Sequence, residues 1–392
     1  MSELKTVEDV DVESENIILR TDLNLPVEDG EPRKTVRFKR YMETVKELSD
    51  RGGRTLVVAH QGRPARDDFL SLEEHAELMS EELGQDVQLV RTFFGSELGD
   101  AVASMEDGDV KLLENIRFLS EELQNMAPER HAHDFFVKNL AKYFDVYVND
   151  AFSAAHRSHG SLVGFNSKLE SAAGPVMMNE VRGCDEVIEN ADSPVLVLGG
   201  EKPSDIVGML EHMVEKAEKI LLGGIPGELA LIIQENSLGK KADWIEKHGY
   251  DSDREKLREL MDEHSDKFVI PEDVSADSGD YEPGEVPEDE MVWDIGSKTA
   301  ERYSEIIGSA DSVVMKGPMG AFEDYPNGTK TVVDAIADSG GYTVLGGGHT
   351  SSLVQRFGHE IDDFSHVSIA GGAFVRYMSG EELAAIKALK QG

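Results

Sequence analysis

The chain has 392 residues, 40% hydrophobic and 30% charged, with 77 Asp and Glu against 39 Lys and Arg and a net charge of −38. That length suits two domains of ordinary size, and the single cysteine, Cys184, excludes an internal disulfide framework and fits a reducing cytoplasm. The acids interleave with ordered-looking segments instead of forming a tail, which argues against nucleic-acid or membrane partners and for a surface adapted to molar salt.

The opening residues, "MSELKTVEDV", lack the basic and apolar pattern of a leader. No window approaches the roughly 18 consecutive apolar residues of a membrane helix. From there a short Val/Ile/Leu run, a polar or glycine-rich end and a helical-period segment recur along the chain. In the first half the runs are "NIILRTDLN", "TLVVAHQGR", "VKLLENIRF" and "VYVNDAF". In the second they are "PVLVLGGEK", "KILLGGIPG", "SVVMKGPMG", "YTVLGGGHT" and "HVSIAGGAF". Apolar strands alternating with helices predict an α/β protein with parallel sheets covered on both faces, in two three-layer, Rossmann-like domains. Among the helices, "SLEEHAELMSEELG" reads as closed by a Ser71–Glu74 capping box and by Gly84. "HAHDFF" (131–136) reads as solvated helix surface, not a metal pair, and "SADSGDYEPGEVPEDE" as an acidic surface loop. Residues 166–193 read as a helix with a break at Gly174-Pro175.

Ligands of such sheets sit beyond the carboxyl ends of the strands. In the first half those ends carry Arg20, Arg37, His60, Arg63, Arg117, His156 and Arg157, an unusual use of arginine in so acidic a chain. Guanidinium forks match phosphate and carboxylate bidentately, so the cluster predicts a small polyanion, with Asp22 and Asn24 placed to fix a hydroxyl. In the second half the ends carry glycines, at Gly199 and Gly200, Gly223 and Gly224, Gly346 to Gly348, and Gly371 and Gly372, with Lys202 and Lys316 nearby. Glycine between strand and helix lets backbone N–H groups approach an anion, which predicts a nucleotide. Neither GxxxxGK[ST] nor GxGxxG is present, and no zinc spacing is convincing.

"RTDLNLPVEDG", "HQGRP", "LLENIRF", "YVNDAFSAAHRSHGSLVGF", "LGGEKPSD", "KGPMGAFE", "GGGHTSS" and "FSHVSIAGGA" resemble, in that order, the signature segments of phosphoglycerate kinases. The acidity makes the chain look like one from a salt-loving archaeon. The resemblance implies phosphoryl transfer between 1,3-bisphosphoglycerate and ADP, by domain closure and direct in-line transfer, in a cytoplasmic monomer with Mg²⁺ carried on ATP or ADP and no firm protein ligand to the metal. It implies a phosphoglycerate-binding domain over 1–166, onto which 376–392 fold back, and a nucleotide-binding domain over 167–375, joined by a hinge helix. Asp22, Asn24, Arg37, His60, Arg63, Arg117, His156 and Arg157 match glycerate-binding positions, and Arg37 and Lys202 the positions nearest the moving phosphoryl group. Gly199, Gly200, Lys202, Gly223, Gly224, Lys316, Pro318, Glu323, Gly347, Gly348, His349 and Thr350 match nucleotide-facing positions. The chain departs from the common pattern at Ile206, Lys316 and His349, where lysine, asparagine and aspartate are usual. A non-catalytic paralogue that binds the same ligands, or a kinase of a related acyl phosphate, are the competing readings.

Overall fold

The computed structural model describes residues 4–347 and 350–392, with only the backbone described for residues 350–352. The chain forms two compact units, one of residues 1–181 and 382–392, the other of 182–381.

In the first unit six parallel strands form one sheet: β1 (Asn16–Arg20), β2 (Arg54–Val58), β3 (Gln88–Val90), β4 (Val110–Leu113), β5 (Val146–Asn149) and β6 (Glu170–Ala173), in the order β3-β4-β2-β1-β5-β6. The central runs are buried along almost their whole length, as a sheet covered on both faces requires. Helix α1 (Val36–Asp50) starts where the Thr35 hydroxyl accepts from the Phe38 N–H, and it buries Phe38, Tyr41, Met42, Val45 and Leu48. Helix α2 (Glu73–Leu83) ends at Gly84 in the left-handed conformation, as expected, but the capping box does not form. The Ser71 hydroxyl instead donates to the buried carboxylate of Glu114, which also accepts from the Leu72 N–H.

Part of the segment read as helix after residue 166 is strand β6, paired with β5, so the first unit continues past residue 166. Helix α3 (Pro175–Asp185) then carries the chain into the second unit.

There, β7 (Val195–Leu198), β8 (Lys219–Leu222), β9 (Phe268–Val269), β13 (Ser312–Lys316), β14 (Tyr342–Gly346) and β15 (His366–Val367) form a second parallel sheet in the order β9-β8-β7-β13-β14-β15. Leu196, Leu198, Ile220 and Leu222 pack into one core cluster, while Val195, Val197 and Leu221 pack into another, so alternate side chains fill the layers on opposite faces. The acidic segment expected to be a loop contributes to a three-stranded antiparallel sheet of β10 (Val274–Ala276), β11 (Gly279–Tyr281) and β12 (Val292–Ile295), in the order β11-β10-β12. Helices α4 (Pro203–Met213), α5 (Gly224–Ile233) and α6 (Ser297–Gly308) follow strand ends of this unit. The terminal helix α7 (Ala384–Gln391) belongs to the first unit, where the Ala385 N–H donates to the Ala155 carbonyl.

Candidate functional site

The carboxyl ends of β1, β2, β4 and β5 lead into loops around a cavity of about 500 Å³. Asn24, His60, Arg63, Arg117 and Arg157 line it, brought together from four separate segments. Sequence reasoning missed Arg66, Asp67 and Asp68, which close one side.

Several side chains at this edge work on their neighbours. Arg20 is buried to 1% exposure, donating to the Ser161 hydroxyl and to Nδ1 of His60. It is a structural anchor, and by occupying Nδ1 it leaves Nε2 of His60 as the donor nitrogen. Burial, with Arg20, Arg117 and Arg157 nearby, pushes His60 well below its ordinary value against the pull of Asp22. A neutral His60 makes Arg37, 3.5 Å away, the standing counter-charge of Asp22. Burial would raise Asp22, but the neighbouring His60 ring, the Arg37 guanidinium and the Ser153 hydroxyl hold its carboxyl well below the usual carboxylate range. The Asn24 amide oxygen accepts from the Gly62 N–H. The His156 ring lies against Arg157, 3.3 Å from its Nε.

Burial and the neighbouring guanidiniums of Arg157 and Arg20 lower Arg117 to about 10. None of Arg63, Arg66, Arg117 and Arg157 has an ion-pair partner among the described residues, although acids outnumber bases two to one in this chain. Four guanidiniums held together without a direct ion pair, with Asp67 and Asp68 at the same rim, leave their hydrogen-bonding forks for a polyanion.

The segment "HAHDFF" is not solvated throughout. His131 is fully buried, with Nδ1 2.6 Å from Asp134 and Nε2 2.8 Å from the Ser158 carbonyl, and so ties down the loop that carries His156 and Arg157.

In the second unit the ends of β7, β8 and β13 come together backbone on backbone. The N–H groups of Gly199 and Gly200 donate to the carbonyls of Lys316 and Pro318. A Cβ on Gly199 would stand 2.2 Å from the Pro318 carbonyl oxygen, and one on Gly224 2.7 Å from the Gly200 nitrogen. These positions exclude side chains for that reason alone. Gly223 abuts Met319 in the same way. Lys202 is exposed at the start of α4, and Glu323 is exposed beyond β13. Lys316 is buried at the end of β13, its Nζ 3.3 Å from the Asp205 carboxylate in the first turn of α4. Burial lowers its ammonium, with Lys202 adding to the shift and Asp205 opposing it. Ile206, one residue on, is fully buried in the core. Gly347 follows β14, whereas Gly348, His349 and the Thr350 side chain lie outside the described residues.

The family model for phosphoglycerate kinase matches residues 7–381. The chain belongs to the phosphoglycerate kinase family. It is 40% identical to the phosphoglycerate kinase of Halorubrum lacusprofundi over 100% of this chain and 98% of that protein. To that of Methanopyrus kandleri it is 41% identical, over 98% of this chain and 97% of the other. A crystal structure of the phosphoglycerate kinase from Pyrococcus horikoshii superposes with a TM-score of 0.90 at 34% identity, covering 98% of each chain. The phosphoglycerate kinase of Coxiella burnetii superposes at 0.84 with 27% identity, covering 99% of each. Two Rossmann-like α/β units make up nearly the whole chain.

Proposed function

We propose that the chain catalyses reversible phosphoryl transfer between the acyl phosphate of 1,3-bisphosphoglycerate and ADP, giving 3-phosphoglycerate and ATP. The observation that carries the substrate assignment is the cavity where Arg63, Arg117 and Arg157 converge with His60 and Asn24, none of the three arginines being in a direct ion pair among the described residues although Asp67 and Asp68 share the lining. It suits a small ligand with a phosphate at one end and a carboxylate at the other.

In the direction that consumes ATP, a carboxylate oxygen of 3-phosphoglycerate bonds to the terminal phosphorus. The bond from that phosphorus to the bridging oxygen of ADP breaks. The attacking group is already an anion, so no general base is needed, and catalysis rests on position and charge. In this reading Asp22 and Asn24 take the glycerate hydroxyl, with His156 alongside Arg157, and Arg37 reaches the moving phosphoryl group. Lys202 is the other residue assigned to that group. Gly347 is assigned to the nucleotide phosphates; Gly199 and Gly200, whose own N–H groups are taken by the Lys316 and Pro318 carbonyls, leave room for close approach, Gly223 and Gly224 form a wall for the base, and Pro318 and Glu323 border the ribose. Ile206 is committed to the core, so Lys316 is the second ammonium at the phosphates, steadied by Asp205.

Carried on the nucleotide, Mg²⁺ would supply neutralisation of phosphate charge. Among the described residues no three His, Cys, Asp or Glu side chains cluster as a cage, but Asp205 offers a hard oxygen. That donor set fits an ion held mainly by phosphates and water. The net charge of −38 supports a halophilic archaeal enzyme, a monomer in a salt-rich cytoplasm, and no helix among the described residues is long and apolar enough to cross a membrane.

The test is an assay with 3-phosphoglycerate and MgATP in molar KCl, trapping the acyl phosphate. Arg37→Ala is expected to lower kcat by on the order of 10²–10³, the scale of losing one donor to a transition-state anion. Failure of the parent protein to form the acyl phosphate would sink the assignment and favour a binding protein without turnover.

A further inference from the structure

Asp150 ends the buried strand β5 and is itself fully buried, yet it does not line the cavity. One carboxylate oxygen accepts from the Met177 N–H, at 2.8 Å, in the first turn of α3. The other accepts from the Thr44 hydroxyl, at 2.6 Å, on α1. Gly174 allows this approach, since a Cβ there would stand 2.3 Å from Asp150 Oδ1. Asp150 therefore fastens α1 to the start of the helix that leads into the second unit.

The face of α1 that carries Thr44 also carries Arg37 and Tyr41, at the i, i+4, i+7 spacing that puts three side chains on one stripe. At one end of the stripe Arg37 pairs with Asp22, whose carboxylate accepts from the N–H of the cavity-lining Asn24. In the middle, Tyr41 is fully buried, its phenol raised by burial and by the carboxylates of Asp22 and Asp150, so it lies within reach of both charges. At the other end Thr44 meets Asp150. The loop after β5 runs alongside: Ser153, three residues beyond Asp150, donates to the Asp22 carboxylate. One rigid helix face and one short loop thus connect the Asp22–Arg37 pair to the first turn of α3.

We propose that Thr44 and Asp150 are positioning residues that hold Arg37 through α1 and couple occupancy of the cavity to the first turn of α3. The proposal rests on the assignment of 3-phosphoglycerate to this cavity. An anionic ligand competes with Asp22 for Arg37. A packed helix passes a displacement at its start to Thr44 because it shifts as a unit. In the structure Asp150 holds Thr44 and the first turn of α3 together, so a shift of α1 that releases the Thr44 hydroxyl leaves that turn held by the Met177 N–H bond without the tie to α1.

The experiment compares the parent protein with Thr44→Val, which keeps the shape and removes the hydroxyl, and Thr44→Ser, which keeps the hydroxyl. Calorimetry reads 3-phosphoglycerate binding, and amide exchange reads Val176 to Met178 with and without that ligand. In the parent protein the ligand is expected to change exchange in this turn. In Thr44→Val the ligand still binds but the change is lost, and kcat falls about tenfold with the KM for MgATP unchanged, the scale of a misplaced catalytic group. Thr44→Ser is expected to restore both. An equal ligand-dependent change in the parent and Thr44→Val, or an unaltered kcat in Thr44→Val, would overturn the coupling while leaving the substrate assignment standing. Absence of 3-phosphoglycerate binding to the parent protein would overturn the assignment and the coupling together.

Discussion

A carboxyl group inside a protein is governed by what surrounds it more than by its own chemistry, and Glu228 is the sharpest case here. It is 6% exposed on α5, with one oxygen 3.0 Å from Lys241 Nζ and the other without a partner among the described residues. Burial outweighs the attraction of Lys241 and pushes the carboxyl up to about 7. Because the folded value is raised above the unfolded one, the folded state binds the proton more tightly. The ionised group therefore weakens the fold above about pH 7, and that penalty disappears as pH falls through the folded value toward the unfolded one. Glu228→Gln mimics the protonated form at every pH. Its stability relative to the parent protein is expected to improve by roughly 1 kcal/mol between about pH 6 and pH 8. Urea unfolding at the two pH values measures this, and a constant difference would mean that Glu228 stays ionised beside Lys241 throughout.

Not every helix in this chain is started by a local cap as α1 is; some are started by side chains that lie far away in sequence. The α6 N-terminus, which begins at Ser297, has no cap of its own; Asp273 accepts from the N–H groups of Lys298 and Thr299 and from the Thr299 hydroxyl. Asp273→Ala leaves these donors buried and is expected to cost about 2 kcal/mol, read as a shift in the urea midpoint; a loss below about 0.5 kcal/mol would mean water replaces the cap. Such long-range capping is also why sequence legibility was uneven. The nine apolar runs all became parallel strands, because continuous burial on both faces leaves a plain Val/Ile/Leu signature. Strand β6 was hidden because "ESAA" is short and small, and β11 because "GDY" is polar and half exposed. The Ser71 box was a sound local signal overruled by Glu114, over forty residues away. At the cavity, arginine stood out because it is scarce, so Arg63, Arg117 and Arg157 could be read from strand ends. Arg66 could not, since it follows a turn in which Ala65 takes a positive φ of 65°, and nothing in "RPAR" announces that bend. Arg20 looked like a ligand by position, but its partners, Ser161 and His60, come from elements that only folding brings alongside.

At the scale of the whole chain two electrostatic demands oppose each other. Acids outnumber bases 77 to 39, so even complete pairing leaves a surplus that repels itself, and most of the ion pairs that do form lie at the surface and contribute only ~0–1 kcal/mol each. Salt weakens those pairs, but it also screens the repulsion, and with this imbalance the repulsion is the larger quantity. The Debye length shrinks from roughly 10 Å at 0.1 M to about 3 Å at 1 M, which is shorter than the spacing of most surface charges. Raising KCl over that range is therefore expected to stabilise the fold. A gain of about 3 kcal/mol in units of this size corresponds to a rise in Tm of roughly 10 °C. The cavity responds in the opposite sense. Its four arginines outnumber the two aspartates of the lining and form no direct ion pair among the described residues, so they attract an anionic ligand through the same field that salt screens. Affinity for 3-phosphoglycerate is expected to fall as Tm rises along one KCl series, followed by calorimetry of unfolding and of binding. If Tm were flat or fell with KCl, the surplus of carboxylates would not be what limits stability, and the salt-adapted reading of the surface would fail even with the catalytic assignment intact.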